Sequence, residues 1–240
     1  GGGRVLRDRD YDTSAGAGPD SIRTKYLAHI AKVLTLAGEP DSDAKRDAQQ
    51  VYDLEKQLAT ASLTRVAMRD PAATDHPMSA QQLVSLAPHV TWQRYFHNAG
   101  IAQPVTKVIV AQPMFFKRVD SLLAAAPLPQ WRAYLRYHIL SSASPWLSTP
   151  FVKESFAFSS TFSGAKQQLP RWKRCIRAID NAMGAASGEA YVEKTFAPAA
   201  RDRAWPVVED VRAAFVARVA RLACVCSHNR ARALAHAGDT

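Results

Sequence analysis

No stretch of 18 consecutive apolar residues occurs in this 240-residue chain, so the sequence offers no membrane-spanning helix. The first residues, Gly1-Gly2-Gly3-Arg4-Val5-Leu6-Arg7, lack an apolar core segment, and no signal peptide is expected there. Cysteine is scarce: Cys175, Cys224 and Cys226 are an odd set, two of them a single residue apart, which is not a disulfide framework. His-Glu-x-x-His is absent. None of His29, His76, His89, His97, His138, His228 and His236 stands four residues from another, the spacing that puts two imidazoles on one helical face around zinc. Cys224-Val225-Cys226 with His228 is spaced too tightly for a zinc site, and no Cys-x-x-Cys exists. There is also no Gly-x-Ser-x-Gly elbow, phosphate loop or dinucleotide fingerprint. The residues alone therefore assign no catalytic, cofactor-binding or metal-binding side chain.

What is present is an ordinary globular composition, 47% hydrophobic and 22% charged. A chain this long can bury roughly 70% of its unfolded surface. The formal charge of +10 is scattered, with its densest groups at Arg171 to Arg174 and Arg218 to Arg232, and it reads as solvated helix faces. An anion- or nucleic-acid-binding patch is the alternative. Acid pairs such as Glu39 with Asp41 and Glu209 with Asp210 fall at caps or on polar faces and need no catalytic role.

Fourteen prolines punctuate a series of helical patterns. Pro19-Asp20-Ser21 opens a helix carrying Ile22, Tyr26, Ile30, Val33 and Leu34, and Gly38-Glu39-Pro40 closes it. Asp41 or Ser42 caps a longer helix with the stripe Ala44, Ala48, Val51, Leu54, Leu58 and Ala61, ended late by Asp70-Pro71. Ser79-Ala80-Gln81-Gln82 is a capping box, followed by a short helix to Ala87. Trp92, Tyr95 and Phe96 mark another helix, closed by Gly100. Val105 to Val110 is the one convincing strand. Pro113 and Pro129 start two further helices, the second with Trp131, Tyr134, Leu135, His138 and Ile139 on one face; His138 there reads as a satisfied core or boundary histidine. Pro150 precedes a Phe-rich helix. Pro170 opens one with Trp172, Cys175, Ile176, Ile179 and Met183, before Gly184 and Gly188 allow close packing or a break. Tyr191 to Phe196 is a short helical piece. A last helix carries Val207, Val208, Val211, Phe215, Val219 and Leu222, beginning or kinking at Pro206. Each aromatic stripe reads as hydrophobic core. The expectation is an all-α domain of roughly eight to ten helices with at most one short β segment: 1–18 as a loop or frayed end, 19–222 as the helical domain, and 223–240 as a tail that is cut short.

Trp172-Lys173-Arg174-Cys175 and the later Ala190-Tyr191-Val192-Glu193-Lys194-Thr195-Phe196 carry a resemblance. They are similar to the N-terminal, non-catalytic helical domain of the neprilysin and endothelin-converting-enzyme family of zinc metallopeptidases. Asp8-Arg9-Asp10-Tyr11, Tyr26, Glu55 to Ser62, Arg69-Asp70-Pro71 to Met78-Ser79, and Trp131 to Leu140 follow the family in order, from Asp8 to Leu222. Asp12, Pro206 and the tail around Cys224-Val225-Cys226 depart from its pattern. The resemblance implies a helical domain that faces a thermolysin-like catalytic domain across a chamber admitting small peptides. It also implies a periplasmic or extracellular enzyme. The zinc ligands and the general-base glutamate belong to a later region of the family, so zinc is expected in the intact enzyme and not on this chain. The implied partner is the catalytic domain itself. The alternatives are a free-standing helical binding protein and a basic anion- or nucleic-acid-binding module; no nucleic-acid partner is expected on the favoured reading.

Overall fold

The computed structural model describes residues 16–196 and 198–221. Asp8 to Tyr11, Leu222, Cys224, Cys226 and His228 lie outside them. Among the described residues there are ten α-helices, two short 3₁₀ segments and one two-stranded sheet, an all-α fold. The chain divides into two compact units, 1–166 and 167–240.

The first unit is built on helices α1 (Ala17–Leu36) and α2 (Asp41–Ala61). Tyr26, His29, Ile30, Val33 and Leu34 are buried along α1, three or four residues apart, so a single stripe faces inward. Gly38 at φ 95° makes the left-handed turn that only glycine takes without cost. No side chain caps α2: Pro40 occupies the cap position, and Asp41 is already helical. Asp41 and Asp43 instead sit in the first turn, where the helix dipole favours carboxylates.

α2 ends at Ala61, short of the expected stop at Asp70-Pro71. Ser62 turns extended and its hydroxyl donates to the Leu58 carbonyl at 2.9 Å, which ends the helix without proline. Asp70 has a different task. Its Oδ1 accepts from Ala72 N–H at 2.9 Å and caps the one-turn helix α3 (Pro71–Thr74).

The capping box forms as expected: Ser79 Oγ accepts from Gln82 N–H, and Gln82 Oε1 accepts from Ser79 N–H, opening α4 (Ala80–Leu86). The expected strand appears as β2 (Lys107–Ile109), antiparallel to β1 (Pro77–Ser79). Leu83, Ala87, Trp92 and Val110 form a small core under this sheet, with Met78, Val108 and Phe116 against it. It also holds α5 (Trp92–Asn98), through Trp92 Nε1 donating to the Ala87 carbonyl at 3.1 Å.

Helices α6 (Pro113–Ala125), α7 (Leu128–Ala143) and α8 (Thr149–Ser163) complete the unit. α7 packs on both α1 and α2, α8 on α1, and α6 on α2. α7 is turned from the expected face. Ala133 and Tyr137 are buried while Leu135 and Ile139 are exposed, because Tyr137 swings onto Tyr26, ring centroids 6.1 Å apart at 74°.

The second unit holds α9 (Arg171–Thr195) and α10 (Pro198–Arg221). α9 breaks at Met183 (φ −135°, ψ 29°), immediately before Gly184. No atom lies near enough to Gly184 or Gly188 to need a missing Cβ, so Gly184 follows a break and neither glycine makes a close approach. α10 starts at Pro198 and carries Pro206 in its interior. Pro206 therefore neither begins the helix nor ends it, and costs the ladder one hydrogen bond.

Candidate functional site

Two features of the described residues go beyond ordinary packing: a buried polar cluster in the first unit, and an exposed apolar stripe on each of the two helices of the second.

The cluster centres on Glu55, which is completely buried on α2. Its Oε1 accepts from Tyr26 O–H at 3.1 Å, and His138 Nε2 on α7 lies 2.8 Å away. The His138 contact is electrostatic, since Nε2 makes no hydrogen bond among the described residues. Glu55 Oε2 is buried with no hydrogen-bonding partner among the described residues. Loss of water is the largest influence on Glu55 and pushes its carboxyl above the ordinary range, against the opposing pull of His138 and Tyr26. The same burial, with the Glu55 charge added, raises the Tyr134 hydroxyl to about 12 and Tyr26 well above its ordinary value. A second buried pair joins α1 to α8: His29 Nδ1 lies 2.8 Å from Glu154 Oε1, and its ring stacks on Phe158 at 4.4 Å. Burial lowers the His29 pKa more than Glu154 raises it.

These contacts tie α1, α2, α7 and α8 into one body, and their chemistry is structural. Sequence reasoning missed Glu55 as a buried acid; the signal is that it stands on the same helical face as Val51 and Leu58. The acid–imidazole contacts are separate pairs, and no group of three or more His, Cys, Asp or Glu among the described residues could hold a metal ion. His138 sits where the sequence put it, at the boundary of the core. Glu39, nearly buried, pairs with Arg136 across to α7, and Glu209 pairs with Arg212 at 2.9 Å, so both of these acids are engaged structurally. Between α1 and α2 lies an open depression of about 390 Å³ lined by Leu27, Ala31, Lys32, Lys45 and Ala48; Lys45 is already paired with Asp41 at 2.7 Å. No described helix is long and apolar enough to cross a membrane.

The second feature overturns an expectation. The stripes of the last two helices are not core. Trp172, Ile176, Ile179 and Met183 on α9 are each about half exposed or more, as are Val207, Val208, Val211 and Phe215 on α10. Val219 alone among the described residues of these helices is buried. The physical reason is the number of layers: an amphipathic helix must lay its stripe against another element, and this unit has too few elements to cover both stripes. Monomeric proteins rarely expose contiguous apolar surface of this kind unless something docks there. Cys175 lies on the same helix as an exposed free thiol, and Lys173 Nζ sits 5.2 Å from the Trp172 ring centre.

Comparison with known proteins places this arrangement. Residues 2–238 match the family model Peptidase_M13_N, described as peptidase family M13. Neprilysin-3 of Drosophila melanogaster is 26% identical over 248 residues, covering 99% of this chain and 32% of that protein. Endothelin-converting enzyme 1 of Rattus norvegicus is 26% identical over 220 residues, covering 89% and 28%. Among solved structures, Mycobacterium tuberculosis zinc metalloprotease Zmp1 in complex with an inhibitor superposes with a TM-score of 0.79 at 27% identity, covering 97% of this chain and 35% of that one. PepO from Lactobacillus rhamnosis shares the fold at a TM-score of 0.79 and 15% identity. The chain spans about a third of the length of the relatives it matches. It belongs to peptidase family M13, as the N-terminal helical domain of the neprilysin-like members.

Proposed function

We propose that this domain shapes and gates the substrate chamber of a zinc metalloendopeptidase acting on small peptides, and that the exposed faces of α9 and α10 pack against the remainder of that enzyme. The observation that carries the reading is the pair of uncovered stripes, Trp172 to Met183 and Val207 to Phe215, in a chain matching about a third of each relative. Apolar surface of this extent calls for a partner to cover it. Zinc, its ligands and the general base belong to the part of the enzyme outside this match. The intact enzyme is proposed to act in a periplasmic or extracellular space.

Hydrolysis by a metal-bound water needs ligands that fix the metal and leave it an open position, and the described residues provide none. The isolated chain is therefore expected to leave small peptides uncut at any zinc concentration. Stoichiometric zinc uptake accompanied by turnover overturns the proposal.

A further inference from the structure

We propose that the outer edge of β2, Lys107–Ile109, docks an extended peptide that adds to the sheet as a third strand. The ladder's register decides which backbone groups are available. Ala80 N–H donates to the Thr106 carbonyl at 3.1 Å, and Val110 N–H to the His76 carbonyl at 2.9 Å. In the antiparallel alternation these make 76/110, 78/108 and 80/106 the bonded pairs. The pairs between them, Pro77/Ile109 and Ser79/Lys107, point their amides and carbonyls away from the partner strand.

On β1 that outward edge has no donor to offer. Pro77 has no N–H, and Ser79 N–H is committed to Gln82 Oε1 at 2.7 Å. On β2 no hydrogen bond among the described residues uses the outward N–H or carbonyl of Lys107 or Ile109. Val108 turns into the small core, while Lys107 and Ile109 face solvent, Ile109 at 68% exposure. The sheet thus has one edge closed and one open, and an open edge is a template for strand addition.

Side chains set the kind of strand. Lys107 and Ile109 stand two apart on one face, and Lys107 makes no salt bridge among the described residues. The fitting occupant carries an acidic residue beside Lys107 and, two positions along, an apolar one beside Ile109. The choice of a free peptide as occupant rests on the peptidase assignment; the open edge does not.

The probe is acetyl-Thr-Thr-Glu-Thr-Val-Thr-Thr-amide, with two N-methylated versions, each blocking the amides of one edge. At saturation it is expected to slow amide exchange at Lys107 and Ile109 by at least about tenfold, and only one N-methylated version should still bind. Ile109→Pro removes an outward donor and no ladder bond, and should weaken binding. Lys107→Glu should weaken it too, and replacing the peptide's Glu with Lys should restore it, a rescue that misfolding cannot imitate. Unchanged exchange at both residues, equal binding by both N-methylated versions, or protection on α9 and α10 instead each overturns the proposal. The readout is backbone exchange at two residues, so it succeeds or fails separately from any peptidase assay.

Discussion

Replacing Glu55 with glutamine should change how stability depends on pH, and the direction follows from burial. Glu55 has no exposed surface, and loss of water raises its carboxyl pKa above the ordinary 4.5, outweighing His138 and Tyr26. The folded chain therefore holds this proton more tightly than the unfolded chain does. Its stabilising contribution is complete below the unfolded value and is lost as pH rises through the folded pKa. Within that window one extra bound proton makes stability fall by up to about 1.4 kcal/mol per pH unit. Glu55→Gln keeps the acceptor for Tyr26 and removes the titration. Its amide carries two N–H donors where the neutral acid carries one O–H, and Oε2 has no partner to accept them, a roughly constant cost of about 1–3 kcal/mol. The variant should start less stable than the native chain near pH 4.5 and gain on it as pH rises through the folded pKa. Urea unfolding from pH 4 to 9, followed in the near-ultraviolet signal of the buried tyrosines, measures the difference. A difference that stays constant, or widens against the variant with rising pH, refutes the argument. The widening case would mean that Glu55 is charged and held by His138.

The other expectations concern packing and backbone. Ile30→Ala empties a fully buried position in the main core and should cost about 2–5 kcal/mol in urea unfolding. Ser79→Ala removes half of the capping box and should cost about 0.5–2 kcal/mol, seen as faster amide exchange in α4. Pro206→Ala restores a ladder bond inside α10 and should slow exchange there, the interior proline being worth about 3 kcal/mol. Trp172→Ser combined with Ile176→Ser changes exposed residues, so folding stability should stay within about 0.5 kcal/mol while binding of an apolar dye falls; unfolding of the double variant would show that these side chains are core after all.

Much of the fold was legible because helical burial repeats every three to four residues. The stripes of α1 and α2, the capping box at Ser79 and the strand near Lys107 all appear where the sequence puts them. What was hidden depends on tertiary partners. The strand paired with β2 contains Pro77 and Ser79, neither a strand-forming residue, and lies far away in sequence. α7 offered two apolar faces, and only the contact with Tyr26 selects Tyr137 over Leu135 and Ile139. The end of α2 came from local serine chemistry and not from a distant proline. For α9 and α10 the periodicity correctly gave amphipathic helices, but periodicity states that a face wants burial, not that it has found it. The family was legible in the Trp172 and Tyr191 segments, whose side chains the described structure leaves exposed.

The coding DNA beyond codon 240 tests the central claim most directly. If this domain serves a zinc peptidase of which it is the N-terminal part, the same reading frame encodes a His-Glu-x-x-His helix followed by an acidic zinc ligand. Absence of that motif in every frame would contradict the claim and leave α9 and α10 to be covered by something other than a catalytic domain.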